Sequence, residues 1–149
     1  VYPELEKISP QQRSLGPMND KATGSLLDKI KFDVNGLVPA IVQDADTKQV
    51  LMLAYMNREA LKATMETGKT HFYSRSRKSQ WLKGETSGHI QEVQSMHFDC
   101  DNDTVLIFAT QKGGACHTGY YSCFYSQWDG KEGVITVGHK VFDPDKTYK

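Results

Sequence analysis

The chain has no excess of charge, because 18 basic and 18 acidic side chains cancel among 149 residues. No overall field therefore attracts it to nucleic acid or a membrane, and an anionic ligand would need a local basic patch. It also lacks an apolar run long enough to cross a bilayer and a secretory signal pattern. Only three cysteines are present, which argues against a disulfide framework and predicts a reducing, cytoplasmic location.

The first part of the chain contains several prolines and glycines and shows little periodicity. We interpret residues 1–26 as a flexible N-terminal extension, and the absence of a starting methionine predicts that the chain has been trimmed. Residues 27–149 have the length and composition of one domain with a modest core.

Short apolar or alternating stretches in this domain predict seven strands. They are residues 37–42, 50–55, 70–75, 91–99, 104–111, 121–128 and 134–137. The polar residues 43–49 predict a hairpin turn. One clear helix is predicted after its cap Asn57, with Leu61 and Met65 on one face and Gly68 at its end. One helix among many short strands predicts an α+β fold with mainly antiparallel strands.

Three carboxylates alternate along one of these predicted strands, so Asp99, Asp101 and Asp103 would share a face. Carboxylates this close repel one another unless a cation lies among them, and oxygen ligands suit magnesium or calcium. A polar hairpin turn is the open alternative, since Asp and Asn are common in turns. An EF-hand is excluded because its sixth and twelfth positions would be Thr104 and Thr110.

The cysteines Cys100, Cys116 and Cys123 follow a C-x15-C-x6-C spacing. A structural zinc site usually has a close cysteine pair and four protein ligands, whereas three ligands and an open position are typical of catalytic zinc. Zinc there would lower the pKa of bound water toward ~7. Three buried, inert thiols are the alternative. The small residues within 113–119 favour a ligand site, where His117 could be a base, a ligand or a partner of a ligand.

A basic segment without acids covers residues 69–83. Its cations are Lys69, Arg75, Arg77, Lys78 and Lys83. Arg75 and Arg77 alternate with serines, so a strand would offer guanidinium groups on one face and hydroxyls on the other, which suits phosphate. Trp81 could stack on a base or simply pack. Residues 83–89 predict a donor-rich loop without the Walker pattern, and a solvated basic strand is the alternative.

Four motifs occur in order between about residues 27 and 128. They are Ser74-Arg75-Ser76-Arg77, Trp81-x-Lys83-Gly84-Glu85-Thr86-Ser87-Gly88, Asp99-Cys100-Asp101-x-Asp103 and Ala115-Cys116-His117-Thr118-Gly119-x-x-Ser122-Cys123-Phe124-Tyr125. In type and spacing they resemble the phosphoribosyl-AMP cyclohydrolase family of histidine biosynthesis. His89 stands where the pattern of that family leads us to expect Asn.

The resemblance implies that water adds to C6 of the adenine ring of N1-(5-phosphoribosyl)-AMP and that the N1–C6 bond opens. It also implies an intertwined homodimer. The implied metal ligands are Cys116, Cys123 and Cys100 of the partner subunit for zinc, and Asp99, Asp101 and Asp103 for magnesium. The expected substrate-binding residues are Arg75, Ser76, Arg77, Trp81, Lys83, Glu85, Thr86 and Ser87, and the expected catalytic acid–base group is His117.

Three other functions fit parts of the pattern. A purine deaminase also adds zinc-activated water to C6, but its H-x-E and P-C-x-x-C signatures are absent. A non-catalytic, zinc-stabilised binding module would close the metal with four protein ligands and unfold without it. A redox-sensing thiol protein would react readily with oxidants and bind zinc weakly. We also expect a single activity, because no segment for the preceding pyrophosphohydrolase step follows.

Overall fold

The computed structural model describes residues 19–148 and shows a mixed α+β fold made mostly of strands. The helices are α1 (Asp20–Lys29), α2 (Arg58–Thr67) and α3 (Pro144–Thr147). The strands are β1 (Val38–Asp44), β2 (Val50–Met56), β3 (His71–Ser74), β4 (Ser79–Leu82), β5 (Gln91–Phe98), β6 (Val105–Gln111), β7 (Ser126–Trp128) and β8 (Val134–Thr136). None of the helices within residues 19–148 is long and apolar enough to cross a membrane.

Six strands form one sheet in the order β4-β3-β2-β1-β6-β5. All neighbours in this sheet are antiparallel except β1 and β6, which run parallel with Ala40 opposite Val105. The sheet curls, because the segment before β3 reaches the edge strand β5, where the Thr70 amide donates to the Gln91 carbonyl. Strands β7 and β8 form a separate hairpin. The prediction of an α+β fold with mainly antiparallel strands is confirmed.

The core lies on the face of the sheet against which α1 and α2 pack. Along β1, Val38, Ala40 and Val42 are fully buried, as the two-residue period of a strand requires. Leu61 of α2 packs into the same layer, and burying such a side chain contributes roughly 1.5–3 kcal/mol. This packed core holds the strands in place, and with them the loops that begin at the strand ends.

Helix α2 has the predicted caps. The Asn57 side chain accepts a hydrogen bond from the Ala60 amide at 2.8 Å, and Gly68 ends the helix in a left-handed conformation with φ of 71°. An α-helix leaves its first amides without partners, so a capping oxygen stabilises its start. The sequence prediction of this helix is therefore confirmed at both ends.

The single predicted helix is one of three in the described part of the chain. Helix α1 includes residues 20–26, which the sequence analysis assigned to the extension, while residues 1–18 of that prediction lie outside the described residues. Asn19 caps α1 by accepting from the Ala22 amide, and Leu27 is buried. Helix α1 has only a weak hydrophobic periodicity, because it contains Gly24 and buries only one or two side chains on one face. It could therefore not be predicted from the sequence pattern.

The predicted strand over residues 121–128 is wrong for residues 121–125, since only Ser126–Trp128 is a strand. The residues before this strand are instead hydrogen-bonded to β2. The Ser122 hydroxyl donates to the Val50 carbonyl at 2.7 Å, and the Cys123 amide donates to the Leu51 carbonyl at 2.7 Å. These bonds hold the segment as a series of bends against the sheet.

Asp44 at the end of β1 connects this segment to the core. It is buried and accepts hydrogen bonds from the Tyr121 hydroxyl and from the Asp46 and Thr47 amides. Burial alone would raise the pKa of Asp44, but these hydrogen bonds hold the pKa below its ordinary value. The ionised carboxylate therefore stabilises the fold above its unfolded pKa of about 3.9, and this contribution is lost as the pH falls through the lower folded pKa.

Replacing Tyr121 by Phe should lower the free energy of unfolding by about 1–3 kcal/mol at pH 7, because a buried carboxylate loses a donor. The loss should shrink as the pH falls from about 3.9 through the lower folded pKa of Asp44, where the folded carboxylate becomes protonated. Urea unfolding at several pH values measures both effects. Tyr125→Phe is the matched control, because the Tyr125 hydroxyl makes no hydrogen bond within residues 19–148, and an equal loss there would contradict the assignment.

Candidate active site

Three carboxylates meet at the turn between β5 and β6. Oxygen atoms of Asp99, Asp101 and Asp103 all lie within 4.8 Å of one another on exposed side chains. The predicted grouping is confirmed, but the predicted cause is wrong. Strand β5 ends at Phe98, and Asn102 adopts a left-handed φ of 62°, so a turn and not strand alternation gathers the acids. The cluster could hold a metal ion.

Hydrogen bonds within this turn shift the pKa values of two of the aspartates in opposite directions. Partial desolvation opposes the shift, but the Asp103 side chain and the amides of Asp103 and Thr104 hold the pKa of Asp99 below its ordinary value. Hydrogen bonds in which the Asp103 carboxyl donates to Asp101 and Asp99, together with the charges of those two groups, raise the pKa of Asp103. A divalent cation would remove this repulsion, which fits an oxygen-ligand metal site.

A tight hairpin brings Cys116 and Cys123 together beyond β6. The Ala115 amide donates to the Tyr121 carbonyl at 2.9 Å, which closes the hairpin between the two cysteines. Gly119 has a φ of 100°, and a Cβ at this position would lie 2.5 Å from the Phe142 carbonyl oxygen. Only glycine fits such a position, so the small residues around Cys116 serve the shape of this hairpin.

The chemistry of the two thiols fits a soft metal ion. Although Cys123 as a residue is exposed, its thiol is shielded, and this burial together with the neighbouring Cys116 raises the pKa of Cys123 to about 12. The Cys116 sulfur lies 2.9 Å from the Thr118 hydroxyl oxygen. Two adjacent thiols cannot both ionise readily without a cation, and thiolates are preferred ligands of zinc. The pair therefore fits zinc as a ligand set that still needs further donors.

Cys123 of the thiol pair lines a cavity of about 450 Å³. Its lining includes Cys123, His117 and six of the eight predicted substrate-binding residues, namely Arg77, Trp81, Lys83, Glu85, Thr86 and Ser87. Arg75 and Ser76 line a neighbouring open cavity of about 670 Å³, which shares Arg77 and Trp81 with the first. The structure thus brings the candidate base, one thiol and most of the basic segment to one continuous depression.

The basic segment does not form the predicted strand with two chemical faces. Strand β3 ends at Ser74, and residues 75–78 are a turn in which Lys78 has a left-handed φ of 51°. The chain then returns as β4, a strand that the sequence analysis missed. Because a turn projects its side chains outward, Arg75 and Arg77 are exposed at its tip, where Arg75 lies over the ring of Tyr55 at 4.1 Å.

Lys83 differs from the other cations of this segment. Only 8% of the residue is exposed, and its ammonium group donates to the Ala115 carbonyl at 2.6 Å. Burial lowers the pKa of Lys83, while the nearby Cys123 and Cys116 thiols act in the opposite direction. The ammonium group is therefore held against the hairpin that carries the thiol pair, at the wall of the cavity.

Cys100 lies at the opposite end of the sheet from the thiol pair. It follows β5 in the turn beside Val105, which pairs with Ala40 early in β1. Cys123 is bonded to Leu51, opposite the far end of β1. Phe98 is level with Ala40, Cys100 is two residues beyond it, and Leu51 lies opposite the step from Val42 to Gln43, so four to five residues at ~3.3 Å each place the two cysteines roughly 15 Å apart along the strands. Within residues 19–148, the three thiols of one chain therefore do not converge, and only the aspartates form a metal-binding group.

Two lining residues lie outside the four motifs of the sequence. Met52 is on the core strand β2, and Tyr148 is at the end of the described chain, beyond the region of resemblance. Neither carries a local sequence signal, since both reach the cavity only through tertiary packing. His89 does not line the cavity. It packs edge-on against Phe142 at 4.3 Å, and its ring lies so close to Gly113 that a Cβ there would clash.

The fold and the site together define a class of protein. A shielded thiol pair, an adjoining histidine and a cavity with several cations are typical of a metal-dependent enzyme that acts on an anionic small molecule.

Comparisons with known proteins identify the family. The family model of phosphoribosyl-AMP cyclohydrolase sequences matches residues 52–125 of this chain. A phosphoribosyl-AMP cyclohydrolase of Pelotomaculum thermopropionicum is 57% identical over 122 residues, which cover 82% of this chain and 95% of the relative. Those of Methanosarcina barkeri and Methanosarcina mazei are 52% and 58% identical, covering 91% and 80% of this chain and 97% and 95% of the relatives. The chain belongs to the phosphoribosyl-AMP cyclohydrolase family and is a hydrolase of the histidine pathway.

Proposed function

We propose that this chain adds water to C6 of the adenine ring of N1-(5-phosphoribosyl)-AMP and breaks the N1–C6 bond. The observation that carries the proposal is the cavity that joins Cys123, His117 and Arg77, next to the open cavity that Arg75 lines. A purine carrying two phosphates needs both an anion-binding surface and a group that activates water, and this cavity has candidates for both.

Zinc is the metal that the thiol pair suits, with Cys116 and Cys123 as ligands. When bound, zinc supplies an activated water for attack on C6. Within residues 19–148, no third histidine, cysteine or carboxylate groups with this thiol pair, and Cys100 of the same chain lies too far away to join it. A second copy that places its own turn against this cavity would complete the site, which is why we propose Cys100 of the partner subunit as the third ligand.

Exposed apolar side chains next to the thiol pair support this homodimer. Phe124 follows Cys123 directly and is 58% exposed, and Leu53 on the neighbouring strand β2 is 45% exposed. Large apolar side chains grouped beside a site are typical of an interface. A second copy covering this surface would bury them and would bring another β5–β6 turn to the cavity.

The carboxylates of Asp99, Asp101 and Asp103 would bind magnesium in the same arrangement. Magnesium prefers oxygen ligands and keeps several waters, which suits an exposed cluster of three carboxylates. Cys100 lies within this turn. A cation on the aspartates would therefore also fix the position of the neighbouring thiol for the second copy.

His117 is the proposed acid–base group. It lies next to Cys116 in the chain, and its side chain lines the cavity. As C6 is attacked, N1 becomes the leaving nitrogen and needs a proton, which an imidazole beside the thiol pair can deliver. The imidazole can equally take a proton from the attacking water.

The remaining residues would hold the substrate. Arg75 and Arg77 at the turn of the β3–β4 hairpin suit the phosphates, together with the hydroxyls contributed by Ser76, Thr86 and Ser87. Trp81 lines both cavities and can stack on the purine, while the Glu85 carboxylate can accept hydrogen bonds from ribose hydroxyls.

Three free cysteines favour a reducing compartment, which supports a cytoplasmic location.

Incubation of the purified protein with phosphoribosyl-AMP tests this function. We expect the purine absorbance to be lost at a rate that a zinc chelator abolishes and added zinc restores. A folded, zinc-binding protein that leaves the purine intact would instead support a binding module, and release of ammonia would support a deaminase. Circular dichroism before and after chelation shows whether the metal-free chain remains folded.

A further inference from the structure

Lys83 is placed unlike a residue that binds a substrate phosphate. Its ammonium group donates to the Ala115 carbonyl at 2.6 Å, and the side chain is almost completely covered. Arg77, by contrast, is exposed at the tip of the β3–β4 turn and lines the same cavity. A phosphate entering from solvent can reach Arg77 directly, whereas Lys83 is already bonded to the backbone next to Cys116.

The hydrogen bond of Lys83 reaches the residue that positions the first thiol. Ala115 precedes Cys116, and its amide is also bonded to the Tyr121 carbonyl across the hairpin. Lys83 therefore ties β4 to the strand of the hairpin that carries Cys116. Lys83 and Cys123 also line the same cavity, so the ammonium group lies beside the hairpin that carries the thiol pair.

A positive charge on the buried Lys83 ammonium group would stabilise a zinc–thiolate group at this hairpin. A divalent zinc ion with three thiolates carries a net charge of −1, which is costly in a shielded site unless a positive group compensates it. Within residues 19–148, the Ala115 carbonyl is the one hydrogen-bond acceptor of this almost buried ammonium group. A zinc–thiolate group held by the neighbouring hairpin would supply the opposite charge that a neutral carbonyl cannot.

We propose that Lys83 is a positioning residue of the metal centre, which orients the Cys116 hairpin and compensates the charge of the zinc–thiolate group. This inference rests on the proposed zinc site. It replaces the sequence-based assignment of Lys83 to substrate binding. It also separates Lys83 from Arg75 and Arg77, which belong to the same basic segment of the sequence.

The test compares Lys83→Met, Lys83→Arg and Arg77→Met with the unchanged protein. Zinc affinity is measured by competition with a chromogenic chelator, without substrate, and KM and kcat are measured on the zinc-loaded proteins. Lys83→Met should weaken zinc binding about 10–100-fold, the usual effect of losing a group that supports metal ligands. Lys83→Arg keeps the charge and should recover part of that affinity. Arg77→Met should raise KM and leave zinc affinity unchanged.

Thermal unfolding of the metal-free proteins separates this role from a purely structural one. Without zinc, Lys83→Met should be close in stability to the unchanged protein, since removal of a buried cation offsets the loss of its hydrogen bond to the Ala115 carbonyl. A large loss of metal-free stability with unchanged zinc affinity would overturn the proposal in favour of a structural role. A raised KM with unchanged zinc affinity would overturn it in favour of phosphate binding.

A further control distinguishes failure of this inference from failure of the zinc site. Cys123→Ser removes a proposed ligand and should reduce zinc affinity more than any Lys83 variant does. If Cys123→Ser binds zinc as tightly as the unchanged protein, the zinc site itself is wrong. If Cys123→Ser loses zinc but Lys83→Met does not, the zinc site stands and only the role of Lys83 is rejected.

Discussion

Cys100→Ser should lose zinc and at least about 1000-fold in turnover, because removing the metal forfeits several kcal/mol of transition-state stabilisation. The fold should persist, since Cys100 is exposed in a turn that Asp99 and Asn102 hold through their own hydrogen bonds. The result would be informative because Cys100 is roughly 15 Å from the other thiols of its chain, measured along the strands. A strong effect on zinc over that distance requires a second copy.

Thr104→Ser is the matched control for this variant. Thr104 is in the same turn and contributes its backbone amide to Asp99, which serine retains. It should keep its zinc content, turnover and thermal stability. Full turnover of Cys100→Ser with one zinc per chain would remove Cys100 from the metal site.

His117→Asn should reduce kcat by about 100–10,000-fold, the range expected for the loss of a general acid–base group. The KM and the zinc content should change little, because the imidazole is proposed to move a proton and not to hold the metal. Steady-state kinetics and metal analysis of the same preparation measure both effects. A parallel loss of zinc would instead make His117 a ligand, which is the alternative that the sequence left open.

His139→Asn is the control for a histidine outside the cavity. His139 stacks on Tyr121 and does not line the cavity, so its replacement should leave kcat close to that of the unchanged protein. If His117→Asn and His139→Asn behave alike, the acid–base assignment of His117 is wrong.

Local signals in the sequence were sufficient for much of the fold. Asn57 and Gly68 mark the ends of α2 through side-chain capping and a left-handed backbone, both of which depend on residues close in sequence. The strands β1 and β2 could also be predicted from local sequence, because each is a short apolar run. Helix α1 was missed because Gly24 and a narrow buried face weaken its periodicity, and the turn before β4 has a left-handed Lys78 where glycine would have been a signal.

The site was predictable in its residue types and less so in its geometry. Grouping of the aspartates could be predicted because they are close in sequence, although a turn and not a strand produces it. The separation of Cys100 from Cys116 and Cys123 could not be predicted. It depends on the parallel pairing of β1 with β6, which joins residues about 65 positions apart in the sequence. The burial of Lys83 likewise results from a contact with Ala115 that is remote in sequence.

Mixing two inactive variants tests the shared metal centre most directly. Cys100→Ser and Cys116→Ser chains are each purified, shown to be inactive, and then combined under conditions in which subunit exchange is demonstrated. Each mixed dimer keeps one site with all of its native ligands, so we predict that activity and bound zinc return to a substantial fraction of the unchanged protein. Proven exchange without any recovery would contradict a zinc ion held between Cys100 of the partner subunit and the Cys116–Cys123 pair.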